Sequence, residues 1–129
     1  MKGNFPVHTA EAPAAIGPYS QAVECGPGRM LFVSGQIPID PATGAFVPGG
    51  APEQAAQSLK NIDAILRAGG MDRTNVVRAT IFLTDMADFA PVNAVYAEFF
   101  GDHKPARAAV QVSALPKGAL VEIDAIAAE

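Results

Sequence analysis

Several residues that define common protein classes are scarce in this sequence. Cys25 is the single cysteine among 129 residues, which excludes an internal disulfide and fits a reducing compartment. His8 and His103 are isolated, and neither has a cysteine or histidine partner at the spacing of metal ligands. We therefore expect a cytoplasmic protein without a metal site.

Basic clusters and long apolar runs are also missing. Nine lysine and arginine residues face thirteen acidic ones, so the net charge is −4 and the isoelectric point is about 5.0. A protein that binds RNA or DNA carries a basic patch, so we do not expect nucleic acid as a partner. The apolar runs stop short of a membrane span, and the first residues lack the apolar centre of a secretory signal. No membrane partner is expected either.

What is present is a well-cored chain of one domain's length. Half of the residues are hydrophobic and 17% are charged. A chain of this size buries roughly two-thirds of the surface that its unfolded form exposes. No repeat or linker divides the sequence, so we expect a single domain over residues 1–129.

The periodicity of the apolar residues predicts two helices. The first has Pro52 in its opening turn, where proline is well tolerated, and ends at Gly69-Gly70. The second is capped by Asp85 or Asp88 and ends at Gly101. Each has an apolar stripe at helical spacing, formed by Ala55, Leu59, Ile62 and Leu66 in the first helix and by Phe89, Val92, Tyr96 and Phe99 in the second.

Alternating or apolar runs predict strands before, between and after these helices. They cover residues 20–25, 30–37, 75–85, 107–113 and 121–127, whereas residues 38–50 are rich in proline and glycine and predict a loop. The last two strands are joined by a turn at Pro116-Lys117-Gly118. The order of elements is that of an α/β sandwich whose two helices cover one face of the sheet.

In each strand one alternating set is assigned to the core beneath the helices. The set in strand 107–113 is Ala108, Val110 and Val112, which leaves Arg107 on the opposite face; Glu122 lies on that opposite face in strand 121–127. This second face mixes polar, small and aromatic residues, so burial against another subunit is expected. On periodicity alone, the favoured interpretation of Arg107 and Glu122 is a surface ion pair worth ~0–1 kcal/mol.

Six segments, taken together, resemble the RidA (YjgF-like) family of reactive-intermediate enamine/imine deaminases over nearly the whole chain. They are AIGPYSQAV, LFVSGQIPIDPATG, AAQSLKNI, NVVRATIFLTDMADF, VNAVYAEFF and PARAAVQVSALPKGALVEIDAIA. The last combines Pro-Ala-Arg with an apolar-Glu-Ile triplet about fifteen residues later. The resemblance implies a chorismate-mutase-like α/β fold with a mixed sheet. It also implies a homotrimer with three sites in the clefts between subunits.

The resemblance further implies cofactor-free hydrolysis of 2-imino acids to 2-keto acids and ammonia. Arg107 would bind the substrate carboxylate with its planar fork of N–H donors, and Glu122 would activate water or pass a proton to the leaving nitrogen. Tyr19, Ser34 and Asn93 match supporting positions of the pocket.

Position 109 departs from the pattern of the family. Many members carry cysteine there, whereas this chain has Ala109, which excludes thiol chemistry at that position and leaves contacts to its backbone.

Other functions are compatible with the same sequence. A non-catalytic trimeric module that binds small 2-keto or carboxylic acids would use Arg107 equally well. It would have no use for Glu122, because an anion near a bound carboxylate lowers the affinity. An RNA-cleaving activity fits the acidic composition poorly, and the sequence leaves a chaperone-like role open.

Overall fold

The structure, a computed structural model, describes residues 4–129. Two α-helices and eight strands follow one another along the chain, with short 3₁₀ turns at Arg73–Asn75, Met86–Asp88 and Pro116–Gly118. The elements are β1 (Asn4–Val7), β2 (Ala22–Cys25), β3 (Met30–Gln36), β4 (Ile39–Asp40), β5 (Ala45–Phe46), α1 (Ala51–Ala68), β6 (Val76–Leu83), α2 (Phe89–Phe100), β7 (Ala106–Gln111) and β8 (Val121–Ala128).

The main sheet has four strands in the order β3-β8-β6-β7. Strand β8 pairs antiparallel with β3 and β6, whereas β6 pairs parallel with β7, so the sheet is mixed. Strands β7 and β8 follow each other in sequence but are separated in the sheet by β6. The predicted α/β architecture, with two helices and one mixed sheet, is confirmed.

The helix boundaries lie where the sequence signals predict them. Helix α1 starts after Gly50, whose N–H donates to the Glu53 side chain at 2.8 Å, and Pro52 occupies its first turn. Helix α2 ends at Gly101, whose φ of 60° lies in the left-handed region that glycine tolerates best. Asp85 caps the 3₁₀ turn that precedes α2, where it accepts from the N–H of Ala87 at 2.9 Å. Neither helix is long and apolar enough to cross a membrane, within residues 4–129.

One hydrophobic core lies between the helices and the main sheet. In β3, β6 and β8 it is built largely by one alternating apolar set of each strand, with Val76 rather than the predicted Val77 at the irregularity of β6. Helix α1 contributes its predicted stripe, whereas in α2 Phe100 is buried and Phe89 and Phe99 are only partly buried. The buried members of the core include Val33, Leu59, Ile62, Leu66, Ala79, Ile81, Leu83, Val92, Tyr96, Val121, Ile123, Ala125 and Ala127. Burial of this apolar surface is the main favourable term in folding.

The assignment of the two faces of β7 was wrong. Arg107 is the neighbour of buried Ala79 across the β6–β7 pairing, and Ala109 is the neighbour of buried Ile81. Side chains of paired residues point to the same face of a sheet, so Arg107 and Ala109 face the helices while Val110 is 40% exposed on the other face. Alternation identifies two sets of residues but not which set faces the core, and in this edge strand both sets contain alanine.

Candidate functional site

Arg107 lies at the sheet edge beneath helix α2. Its Nη1 donates to Oδ1 of Asn93, on α2, at 2.5 Å. The side chain is half-buried. The contact joins Arg107 and Asn93, which were identified separately as candidate site residues, and it fixes one edge of the guanidinium group.

Three aromatic rings surround the same guanidinium group. Its Cζ lies over the rings of Tyr19, Phe89 and Tyr96, at 5.3, 5.5 and 5.0 Å from their centroids. Cation–π contacts of this length attract the cation to the ring face. Tyr19 was selected from the sequence as a pocket residue, whereas Phe89 and Tyr96 were assigned only to the helix stripe. Phe89 lies four residues before Asn93 and Tyr96 three residues after it, so all three side chains lie on one side of α2. This spacing is the sequence signal that indicates their common position.

Burial shapes the electrostatics of this cluster. Loss of water around Arg107 lowers the pKa of its guanidinium, while Tyr96 and Tyr19 act in the opposite direction; arginine nevertheless stays charged at any physiological pH. Burial raises the pKa of the Tyr96 phenol, so this side chain stays neutral. The Tyr96 hydroxyl is buried and has no hydrogen-bond partner in the part of the chain that the structure describes.

The segment that carries Tyr19 is fastened to the start of β7. The N–H of Tyr19 donates to the carbonyl of Gly17 at 2.8 Å, which closes a turn around Pro18. The N–H of Ser20 donates to the carbonyl of Pro105 at 3.1 Å, and the Ser20 hydroxyl donates to the carbonyl of Lys104. These bonds hold the Tyr19 ring beside Arg107.

Glu122 lies elsewhere, in the middle of β8 on the face away from the helices. It pairs with Phe82 of β6, and both side chains are partly buried. Its carboxylate lies over Gly35 so closely that a Cβ at that position would overlap it. Ser34 and Gly35 occupy the register shift between Val33 and Gln36 where β3 pairs with β8. Gly35 thus makes the room that the Glu122 carboxylate occupies.

The comparisons with known proteins agree with this fold. The family model described as Endoribonuclease L-PSP matches residues 9–129. The chain belongs to this family, the YjgF/RidA family. The resemblance found in the sequence is thereby confirmed.

Curated relatives cover most of the chain and carry different names. The chain is 58% identical over 121 residues to Protein DfrA of Myxococcus xanthus, covering 94% of this chain and 92% of that protein. It is 57% identical over 123 residues to 2-iminobutanoate/2-iminopropanoate deaminase of Bos taurus, covering 95% and 88% respectively.

Solved structures match the fold over almost the whole chain. The Rid-family protein YyfA of Yersinia pestis, described as of unknown function, is 49% identical with a TM-score of 0.76, covering 98% of this chain and 99% of that chain. TdcF of E. coli, solved with bound serine, is 44% identical with a TM-score of 0.75, covering 97% and 98%.

Within this family member, the sequence-selected residues fall into two groups. Tyr19, Asn93 and Arg107 meet on the helix side of the sheet, and Ala109 lies two residues further along the same face of β7. Ser34 and Glu122 belong to the second group, on β3 and β8. Strand β6 lies between β7 and β8, and Glu122 points to the face opposite Arg107, so one chain does not unite the two groups.

The residues that the structure describes contain no cluster of three or more His, Cys, Asp or Glu side chains able to hold a metal ion. His103 instead forms a 2.7 Å hydrogen bond between its Nε2 and the carbonyl of Val76. The other histidine, His8, is exposed.

Proposed function

We propose that this protein is a cofactor-free hydrolytic deaminase that acts in the cytoplasm. Its substrates would be 2-imino acids, the tautomers of 2-aminoacrylate and 2-aminocrotonate, and its products 2-keto acids and ammonia. The observation that carries the proposal is the half-buried Arg107 guanidinium, anchored by Asn93 at 2.5 Å on one edge and surrounded by three aromatic rings. The names of the mammalian relatives support it.

Arg107 has the form of a carboxylate receptor. Asn93 uses one N–H of Nη1, and the planar fork keeps further donors for two parallel hydrogen bonds to a carboxylate. The surrounding rings remove part of the water around the guanidinium, and charge-assisted hydrogen bonds strengthen where the local dielectric is low. A 2-imino acid held in this way would have its C=N carbon next to the bound carboxylate, at a fixed distance from Arg107.

Glu122 would supply the acid–base chemistry. Its carboxylate takes a proton from water while the water oxygen adds to the C=N carbon, and it passes that proton to the nitrogen, which becomes an amine. Glu122 then carries the proton of the new hydroxyl group to the amine, the C–N bond breaks, and ammonia leaves as the C=O bond forms. A general base of this kind contributes roughly 10²- to 10⁴-fold to the rate. The imine carbon is already electrophilic, so these steps require no covalent nucleophile.

A complete site would combine two subunits of a homotrimer. Arg107 and Glu122 face opposite sides of one sheet, so a substrate bound to Arg107 of one copy needs the Glu122 of its neighbour. The face that carries Glu122 also exposes apolar surface, with Phe32 at 71% exposure. In a ring of identical subunits the same pair of unlike surfaces recurs at every interface, which would give three equivalent sites.

The second candidate is a module that binds small carboxylic acids without catalysis. The serine bound to the related TdcF favours a site for small amino or keto acids, and Arg107 with Asn93 would suffice for binding. The half-buried carboxylate of Glu122 favours the enzyme, because an anion close to a bound carboxylate lowers the affinity unless it takes part in the reaction.

A coupled assay tests the enzyme directly. An amino-acid oxidase or a PLP-dependent dehydratase generates the imine in situ, and the disappearance of the imine is followed with and without this protein. We expect faster hydrolysis with the protein and no acceleration with Arg107→Ala at the same concentration. Binding of pyruvate without acceleration of imine hydrolysis would replace the enzyme with the binding module.

A further inference from the structure

Gly17 lies beside Nη2 of Arg107, the terminal nitrogen that does not donate to Asn93. Asn93 occupies Nη1, and the rings of Tyr19, Phe89 and Tyr96 surround the group. A Cβ built on Gly17 would lie 3.9 Å from Nη2, and 3.5 and 3.6 Å from Cε2 and Cδ2 of Tyr19. The missing side chain of Gly17 therefore leaves space next to Nη2.

The backbone does not explain this glycine. Gly17 does not have a positive φ, unlike Gly44, Gly49, Gly70, Gly101 and Gly118. A Cβ at position 17 would make ordinary van der Waals contacts, in contrast to Gly28, Gly35 and Gly69, where it would overlap other atoms. The chain could therefore accept alanine at position 17 without strain.

The segment around Gly17 cannot easily move aside. Tyr19 N–H donates to the Gly17 carbonyl at 2.8 Å, and Ile16 N–H donates to the Tyr19 hydroxyl at 3.4 Å. Pro18 fixes the backbone between them. A side chain added at position 17 would thus stay where it is built, next to Nη2.

We propose that Gly17 is a substrate-access residue, whose missing side chain leaves room for one carboxylate oxygen of the substrate to reach Nη2 of Arg107. This inference rests on the proposed function, in which Arg107 binds the carboxylate. It gives the glycine of the AIGPYSQAV segment a role distinct from that of Tyr19: Tyr19 supports the guanidinium, and Gly17 leaves its binding edge accessible.

The test compares Gly17→Ala and Gly17→Val with the wild type. Calorimetry measures the affinity for pyruvate, an unreactive 2-keto acid, and the coupled assay gives kcat and KM. We expect Gly17→Val to weaken pyruvate binding by about tenfold to a hundredfold, the range of one lost charge-assisted hydrogen bond, and to raise KM far more than it lowers kcat. Gly17→Ala should have a smaller effect in the same direction.

Gly50→Ala is the matched control. Gly50 also has a negative φ, −96°, and a Cβ there would make contacts of 3.8 and 3.9 Å, at the start of α1 and with no Arg107 atom among them. It should leave pyruvate affinity and KM unchanged. Thermal melting identifies any variant that has lost its fold. If Gly17→Val is unfolded, the comparison is made with the milder Gly17→Ala.

A double-mutant cycle distinguishes blocked access to Nη2 of Arg107 from a general structural effect of the substitution at Gly17. In an Arg107→Lys background Nη2 is gone, so Gly17→Ala should weaken binding by less than it does in the wild type. Wild-type affinity in a folded Gly17→Val variant, or a loss confined to kcat, would overturn the role of Gly17 alone. A wild type that neither bound pyruvate nor accelerated imine hydrolysis would overturn the proposed function and this inference with it.

Discussion

Arg107 and Glu122 lie on opposite faces of the same sheet, with strand β6 between their strands. Arg107 pairs with Ala79 on the helix side, and Glu122 pairs with Phe82 on the other side. The proposed carboxylate receptor and the proposed general base are therefore placed so that they cannot act on one small molecule within one chain. In the proposed mechanism, two copies contribute to each complete site.

Arg107→Lys should lower kcat/KM by about tenfold to a hundredfold, because the second N–H···O contact with the carboxylate is lost. Lysine keeps the charge, but its single ammonium group cannot replace the planar guanidinium that bonds Asn93 and lies over the aromatic rings. The measurement is steady-state kinetics in the coupled assay, with light scattering to verify that the trimer persists. Full activity would show that Arg107 has only a structural role.

Asn93→Asp tests the contact between Asn93 and Arg107 with little change in size. Aspartate would still accept from Nη1, but its charge would neutralise the guanidinium and repel the substrate carboxylate. We expect KM to rise by about tenfold or more, while the melting temperature stays the same or increases. An unchanged KM would mean that substrate does not approach this part of the Arg107 side chain.

Gly35→Ala should lower kcat and leave pyruvate affinity nearly unchanged. The added Cβ would overlap the Glu122 carboxylate, and a flexible glutamate can yield by turning away. A displacement of about 1 Å at a reacting group costs up to about a hundredfold in rate. Calorimetry with pyruvate provides the internal control, because the Arg107 group is untouched. A kcat equal to that of the wild type would argue against a catalytic role for the present position of Glu122.

Glu122→Gln distinguishes the enzyme from the binding module. Glutamine keeps the size of the side chain but cannot take a proton, so the rate should fall by about two orders of magnitude or more. Affinity for pyruvate should hold or improve, since one negative charge is removed from the site. Near-normal turnover would refute the assignment of Glu122 as the base.

The helices and the core were predictable because local signals agree with the tertiary structure. Pro52, the apolar stripe of α1 and Gly69 all indicate the same boundaries, and the structure has them. In β6 and β8 one alternating set is clearly more apolar than the other, so the buried face could be assigned. The bounds of these strands were also predicted to within about two residues.

The errors occurred in strands whose structure depends on pairing with residues distant in the sequence, which a local sequence pattern does not reveal. The face of β7 depends on which strand it pairs with, and its parallel pairing with β6 joins residues distant in sequence. Strand β1 has Pro6 within four residues, and β4 and β5 have two residues each in a segment rich in proline and glycine. Such segments form strands only because a partner is available, and no pattern within them indicates the partner.

The structure brings together some of the candidate site residues, and their roles stay a prediction. The resemblance selected Tyr19, Asn93 and Arg107, and the structure joins them. It did not select Phe89 and Tyr96. Their aromatic side chains belong to the apolar stripe of α2 and also lie against the Arg107 guanidinium. The division from Glu122 follows from strand order, which the sequence does not specify.

The central claim is that Arg107 and Glu122 of different copies form one site, and mixing two inactive variants tests it most directly. Arg107→Ala and Glu122→Gln are purified separately, then unfolded and refolded together in equal amounts. In a cyclic trimer, random mixing would restore about a quarter of the wild-type sites, since every mixed trimer gains one intact pair. We predict imine hydrolysis at about a quarter of the wild-type rate, from particles of three times 13.3 kDa. Activity no higher than the sum of the two variants refolded separately, while wild type refolded in the same way is active, would contradict the shared site.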